Sequence, residues 1–126
     1  MKKSILSAAA AMAALCSCTM NDNPFLTESP LPYGAPQFDK IQTSDYKPAF
    51  LAAIDEAKAE VDAIVDNTAE PDFANTIEAL EFCGEKLNGV ASVFSNLMEA
   101  DTNEDMQDLA EELAPLMTEY DMYVSL

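Results

Sequence analysis

Asp101, Asn103, Asp105 and Glu112 stand at positions 1, 3, 5 and 12 of the run DTNEDMQDLAEE, the oxygen spacing with which an EF-hand-like loop surrounds calcium. Two departures weigh against that chemistry. Met106 stands where the sharp turn needs glycine, and Asp108 stands where an apolar residue normally packs. Both favour an acidic helix start, in which Glu104, Asp105 and Asp108 lie at the end of the helix that the peptide dipole makes positive. No other grouping offers catalysis, because the chain has no histidine and only one cysteine, Cys83, beyond residue 18. That excludes from this stretch histidine relays, Ser-His-Asp and Cys-His arrangements and the usual zinc ligand sets. Cys83 is expected to be a buried free thiol, with no basic residue nearer in sequence than Lys86.

The other residues with chemistry to offer are Cys16 and Cys18. Lys2 and Lys3 begin a segment whose apolar run, Ile5 to Leu15, is too short for a membrane span of ~20 residues and reads as a secretory signal. Leu15-Cys16-Ser17-Cys18 resembles a bacterial lipobox, and small Ser17 makes Cys18 the better acylation site. An ordinary signal peptide cut nearby is the plainer reading. Lipidation implies several acyl chains on Cys18, enough for stable anchoring, with the body tethered on the periplasmic side of a bacterial membrane. Thr19 after the cysteine, in place of aspartate, resembles the outer-membrane sorting pattern. Cleavage before Cys18 leaves four lysines against 23 acids, a net charge of −19. Such a surface repels nucleic acid and anionic lipid. The 49% apolar content is arranged periodically, so the acidity marks solvated faces rather than disorder.

Three helices must carry whatever these residues do. Residues 21–42 hold four of the seven prolines and no helical or strand period, which predicts an extended arm. Phe25, Leu26, Leu31, Tyr33, Phe38 and Ile41 predict that it lies on folded protein; the rival is a free tether. From Thr43 to Asn67, Phe50, Ile54, Ala57, Val61 and Ile64 step by four and three residues, a one-sided amphipathic helix capped by Thr43, Ser44 or Asp45, with Pro48 in its first turn. Phe73 to Met98 is expected to be one uninterrupted core helix packed between neighbours. Its stripe is Ile77, Leu80, Gly84, Leu87, Ala91, Phe94 and Met98, its cap Asn75 with Glu78, and Gly84 a point of close crossing. Met106, Leu109, Leu113, Leu116, Tyr120 and Tyr123 form a third stripe, capped by Thr102 or Asn103 and kinked at Pro115. It is still running at Leu126, so the chain is expected to be incomplete at its C-terminus. The expected fold is all-α, an extended Pro-rich arm followed by three antiparallel helices, part of a larger helical protein. Residues 1–17 are assigned to the signal, 18–42 to anchor and arm, and 43–126 to the helical region.

NPF at Asn23, LPYGAPQFDKI from Leu31, DYKPAF from Asp45, NTIEAL from Asn75, VFSNL from Val93, DTN at Asp101 and APLM from Ala114 carry a resemblance that spans nearly the whole mature chain. In order and spacing they resemble the N-terminal region of the peptidyl-dipeptidase Dcp group and its relatives oligopeptidase A and thimet oligopeptidase, with the Dcp group nearer. The resemblance implies a much larger helical zinc metallopeptidase in which this region is part of a lid over a deep substrate channel. Its zinc ligands and water-activating glutamate lie in a His-Glu-x-x-His helix that a chain without histidine does not contain. No catalytic, cofactor-binding or metal residue is therefore carried over, and the implied zinc and peptide substrates belong to the missing part. By the same resemblance the full enzyme releases C-terminal dipeptides, and the segment alone should be inert. The rival is a small acidic helical lipoprotein that binds another protein of the cell envelope.

Overall fold

The computed structural model describes residues 23–125; residues 1–22, with the signal segment, Cys16 and the lipidation site Cys18, lie outside the described residues, as does Leu126. After a short 3-10 turn at Pro32–Gly34 come four α-helical elements: α1 (Thr43–Val65), α2 (Ala79–Phe82), α3 (Glu85–Ala100) and α4 (Glu104–Ser125). A π-helical turn, Phe73–Glu78, leads directly into α2. Among the described residues there is no strand, so the all-α expectation is met. No helix among them is long and apolar enough to cross a membrane.

The side chains that meet across helices give the bundle its sense. Tyr46 and Phe50 of α1 pack edge-on against Phe94 of α3, with ring centroids 5.0 and 5.7 Å apart, and further along α1 Glu56 reaches Lys86 at 2.6 Å. The two helices are therefore antiparallel. Lys47 pairs with Glu112 at 2.7 Å and Lys58 with Glu119 at 3.0 Å, so α4 runs parallel to α1, as the third helix of an up-down-up bundle must. α3 and α4 each pack mainly on α1 and only marginally on each other, leaving between them a cleft of about 230 Å³ lined by Phe94, Ala110 and Leu113 among others.

The central element is thus α1, where sequence periodicity put the Phe73–Met98 stretch. Of the thirteen buried core residues, six come from α1: Tyr46, Ala49, Phe50, Ala53, Ile54 and Ala57. α3 supplies Leu87, Val90, Val93 and Phe94, and α4 supplies Met106, Leu109 and Leu113. Burying each Phe, Leu, Val or Met is worth roughly 1.5–3 kcal/mol. The alanines act differently: small residues at every fourth position let neighbouring helices approach closely, since interaxial distance follows side-chain size.

The long helix expected from Phe73 to Met98 is broken. Cys83 leaves helical geometry with ψ 135 and Gly84 takes φ 74, a left-handed conformation that glycine adopts at no steric cost. A Cβ on Gly84 would stand 3.0 Å from the Tyr120 hydroxyl and 3.7 Å from the Ala57 Cβ, so the expected close approach is real and involves both α1 and α4. The Gly84 N–H donates to Glu60 Oε2 at 2.8 Å, fastening the start of α3 to α1. On the N-terminal side of the break the expected stripe does not hold, because Ile77 and Leu80 face solvent.

The helix starts are set by polar side chains near the expected positions. Gln42 is the α1 cap, and its N–H donates to Asp45 Oδ2 at 2.8 Å. Pro48 consequently falls in the second turn, where its missing N–H leaves the Ser44 carbonyl without its usual helical donor. The π-helical turn opens at Asp72, three residues before the expected cap: Asp72 Oδ1 accepts from the Asn75 N–H at 2.7 Å and Asn75 Oδ1 accepts from the Asp72 N–H at 2.9 Å, a reciprocal box. α4 is capped by Asn103, whose Oδ1 accepts from the Met106 N–H at 3.0 Å, and it continues through Pro115, which is exposed.

The arm is seated at its two ends. Asn23 is buried and its Nδ2 donates to the Asp45 carbonyl at 2.8 Å, while the Phe25 ring stands 5.1 Å from that of Tyr46. Ile41 packs on the core at the other end. Between them Leu31, Tyr33 and Phe38 project into solvent.

Candidate functional site

The acidic run from Asp101 is laid out along the helices instead of curling around one point. The Asp101 N–H donates to the Leu97 carbonyl at 2.8 Å, closing α3, and Asn103 turns back to cap α4. With the helix under way at Glu104, the seven-residue step from Asp105 to Glu112 separates their backbones by ~10 Å at 1.5 Å per residue. Among the described residues no three His, Cys, Asp or Glu side chains converge into a group that could hold a metal ion.

What the run does instead is border a groove. Thr43, Lys47, Leu51 and Asp55 follow each other along α1 beside its buried face, and Asp105, Asp108, Leu109 and Glu112 face them from α4 across an open depression of about 880 Å³. Pro48, Leu51, Ala52 and Leu109 make its apolar part, and the Lys47–Glu112 ion pair spans it. Both partners of that pair are about half exposed, which limits it to a few tenths of a kcal/mol, ~0–1 by the usual range. Its polar residues are hydroxyls, carboxylates and one lysine, and neither thiol nor histidine stands among them. Sequence reasoning missed it because Leu51 lies outside the core stripe. The repeat Thr43, Lys47, Leu51, Asp55 at every fourth residue is the signal that could have shown a second, mixed face on α1.

Cys83 is free and half-buried, so it is less enclosed than expected. Burial first, and the Glu60 carboxylate second, push its thiol above the ordinary range, the opposite of the shift that activates a cysteine. Tyr120 beside it is shifted up in the same way, by burial and then by Cys83, Glu60 and Asp121. The Tyr123 hydroxyl donates to an Asp62 carboxylate oxygen, and that hydrogen bond is the main cause of its raised pKa.

No family model matches the chain. Two individual proteins do. The chain is 44% identical over 110 residues, 84% of its length, to the dipeptidyl carboxypeptidase of Salmonella typhimurium, and 45% identical over 105 residues, 82% of its length, to that of Escherichia coli.

The chain is similar to a segment of two dipeptidyl carboxypeptidases.

These alignments cover only 16% and 15% of the two dipeptidyl carboxypeptidases, so the chain spans about a sixth of their length. The resemblance carried by NPF, LPYGAPQFDKI, DYKPAF and the later segments is therefore shown over most of the chain. The zinc that this resemblance implies does not fit the residues present: the dipeptidyl carboxypeptidase-like segment has no histidine at all and no converging donor set among its described residues.

Proposed function

We propose that the chain is the N-terminal, non-catalytic part of an exported zinc metallopeptidase of the dipeptidyl carboxypeptidase kind. It forms part of a helical lid that restricts a substrate channel to short, unfolded peptides, while the zinc, its ligands and the water-activating group lie on the remainder of the enzyme. The full enzyme hydrolyses peptides and releases C-terminal dipeptides; the segment alone is inert. The observation that carries this reading is identity of 44–45% over more than four fifths of the chain, in a chain that lacks histidine. Export and anchoring through Cys18 belong to the same reading.

The test is a chimera in which the aligned segment of the Escherichia coli relative is replaced by that of this chain. Activity within about tenfold of the parent, a loss of less than ~1.4 kcal/mol in transition-state stabilisation, is the expected outcome, with no hydrolysis by the chain alone. An inactive, well-folded chimera contradicts the lid assignment. Anchoring is tested separately: radioactive palmitate should label the chain, and Cys18→Ser should abolish the label.

A further inference from the structure

The segment between Asp72 and Gly84 is turned the wrong way round for a free-standing bundle. Its large apolar residues point outward, with Phe73 71%, Ile77 56% and Leu80 47% exposed, and Phe82 57% exposed at its end. Its inward side consists of the small residues Thr76, Ala79 and Cys83, all only half-buried. Beyond the break at Gly84 the same strand of chain reverses this, burying Leu87, Val90, Val93 and Phe94 in α3. Phe73, Ile77 and Leu80 recur at steps of four and three, so they form one continuous stripe. Together they expose on the order of a few hundred Å² of apolar surface, comparable to the largest patch on a typical monomer, which is often functional.

We propose that this outward stripe is the surface through which the chain docks on the remainder of the longer peptidase, against a partner surface with an apolar centre and a basic rim. The inference rests on the function proposed above and adds to it the place of contact. Two observations select that occupant. More than four fifths of each matched dipeptidyl carboxypeptidase lies outside the region aligned to this chain, and a surface in covalent connection needs little intrinsic affinity because its effective concentration is high. Between Lys58 and Lys86 the sequence has no basic residue and eight acids, among them Asp72, Glu78, Glu81 and Glu85 around the stripe. A rim of lysine and arginine is the complement to such a surface, and a second copy of this segment would bring acid against acid.

Ile77→Asp with Leu80→Asp, introduced into the chimera described above, tests the contact. The expected result is a loss of at least about tenfold in the half-life of peptidase activity at a fixed elevated temperature, relative to the unmodified chimera. The same double substitution in the full chain by itself should leave its helical circular dichroism and thermal midpoint unchanged, since neither residue is buried there. A double-variant chimera as durable as the unmodified one overturns the inference while leaving the proposed function standing. So does sedimentation of the chain alone as a dimer that the double substitution converts to monomer, which makes a second copy the occupant. An unmodified chimera that folds without activity removes the proposed function, and this inference with it.

Discussion

Ala49, Ala53 and Ala57 of α1 are all but inaccessible to water, whereas Phe73, Ile77 and Leu80, each with far more apolar surface, stand out in solvent. The difference lies in what surrounds each backbone. α1 has α3 on one side and α4 on the other, and a methyl group is all the space between closely packed helices allows. The Phe73–Phe82 segment packs mainly on the flank of α1, and its outer side is open to solvent among the described residues. Depth in this molecule is therefore decided by the number of neighbouring helices, and side-chain hydrophobicity is a poor guide to it at both sites.

The sharpest way to break that comparison is to truncate one phenylalanine in each region. Phe50→Ala, in the seam, should cost ~3–5 kcal/mol by chemical denaturation. Phe73→Ala in the chain alone should stay within ~0.5 kcal/mol. Equal losses would mean that the outer stripe is packed after all. Next in size is overfilling: Ala53→Leu forces α1 away from its neighbours and should cost ~1–3 kcal/mol, while Ala74→Leu, at an exposed position, should be nearly silent. Gly84→Ala acts at the boundary between the regions. A left-handed conformation costs an L-residue ~1–2 kcal/mol, and the added methyl meets the Tyr120 hydroxyl, so the thermal midpoint should fall accordingly.

The smallest effect concerns the one polar atom of the seam. Among the described residues the Tyr46 hydroxyl is buried without a hydrogen-bond partner, and Tyr46→Phe should stabilise by up to ~1 kcal/mol. Burial, and then Asp45, raise the Tyr46 pKa, as burial first does for Tyr120 and the Asp62 hydrogen bond for Tyr123. Above the unfolded value of ~10 the unfolded chain sheds these protons first and so binds fewer than the folded one. The stability they contribute is complete below that pH and is lost as pH climbs through the folded values. Denaturation midpoints should decline in that alkaline window, and Tyr46→Phe should make the decline shallower.

Much of the bundle is legible in the sequence. Steps of three and four residues place α1, α4 and the Leu87–Met98 part of the expected core helix because apolar periodicity is a local property, and Asn103 is one of the two cap candidates that stand before the acidic turn. The break at Gly84 is not legible from that signal: a single left-handed residue leaves the spacing of Ile77, Leu80, Leu87 and Phe94 intact while turning the first pair out and the second pair in. The seam is equally silent, since Ala49 and Ala53 add little hydrophobicity to any pattern. Asp105 and Glu112 were visible as acids at a suggestive spacing, but only the fold shows them strung along the groove that α4 makes with α1. The kinship was legible in short segments scattered from Asn23 to Ala114, none of which depends on knowing the packing.

The arrangement around Gly84 separates two helical ladders. The Gly84 N–H ahead of α3 is held by the Glu60 carboxylate, and the Asn88 N–H donates to the Gly84 carbonyl at 2.8 Å, so α3 starts its own run of hydrogen bonds at the break. Substitutions in Phe73–Phe82 can therefore be made without removing a rung from the helix that fills the core.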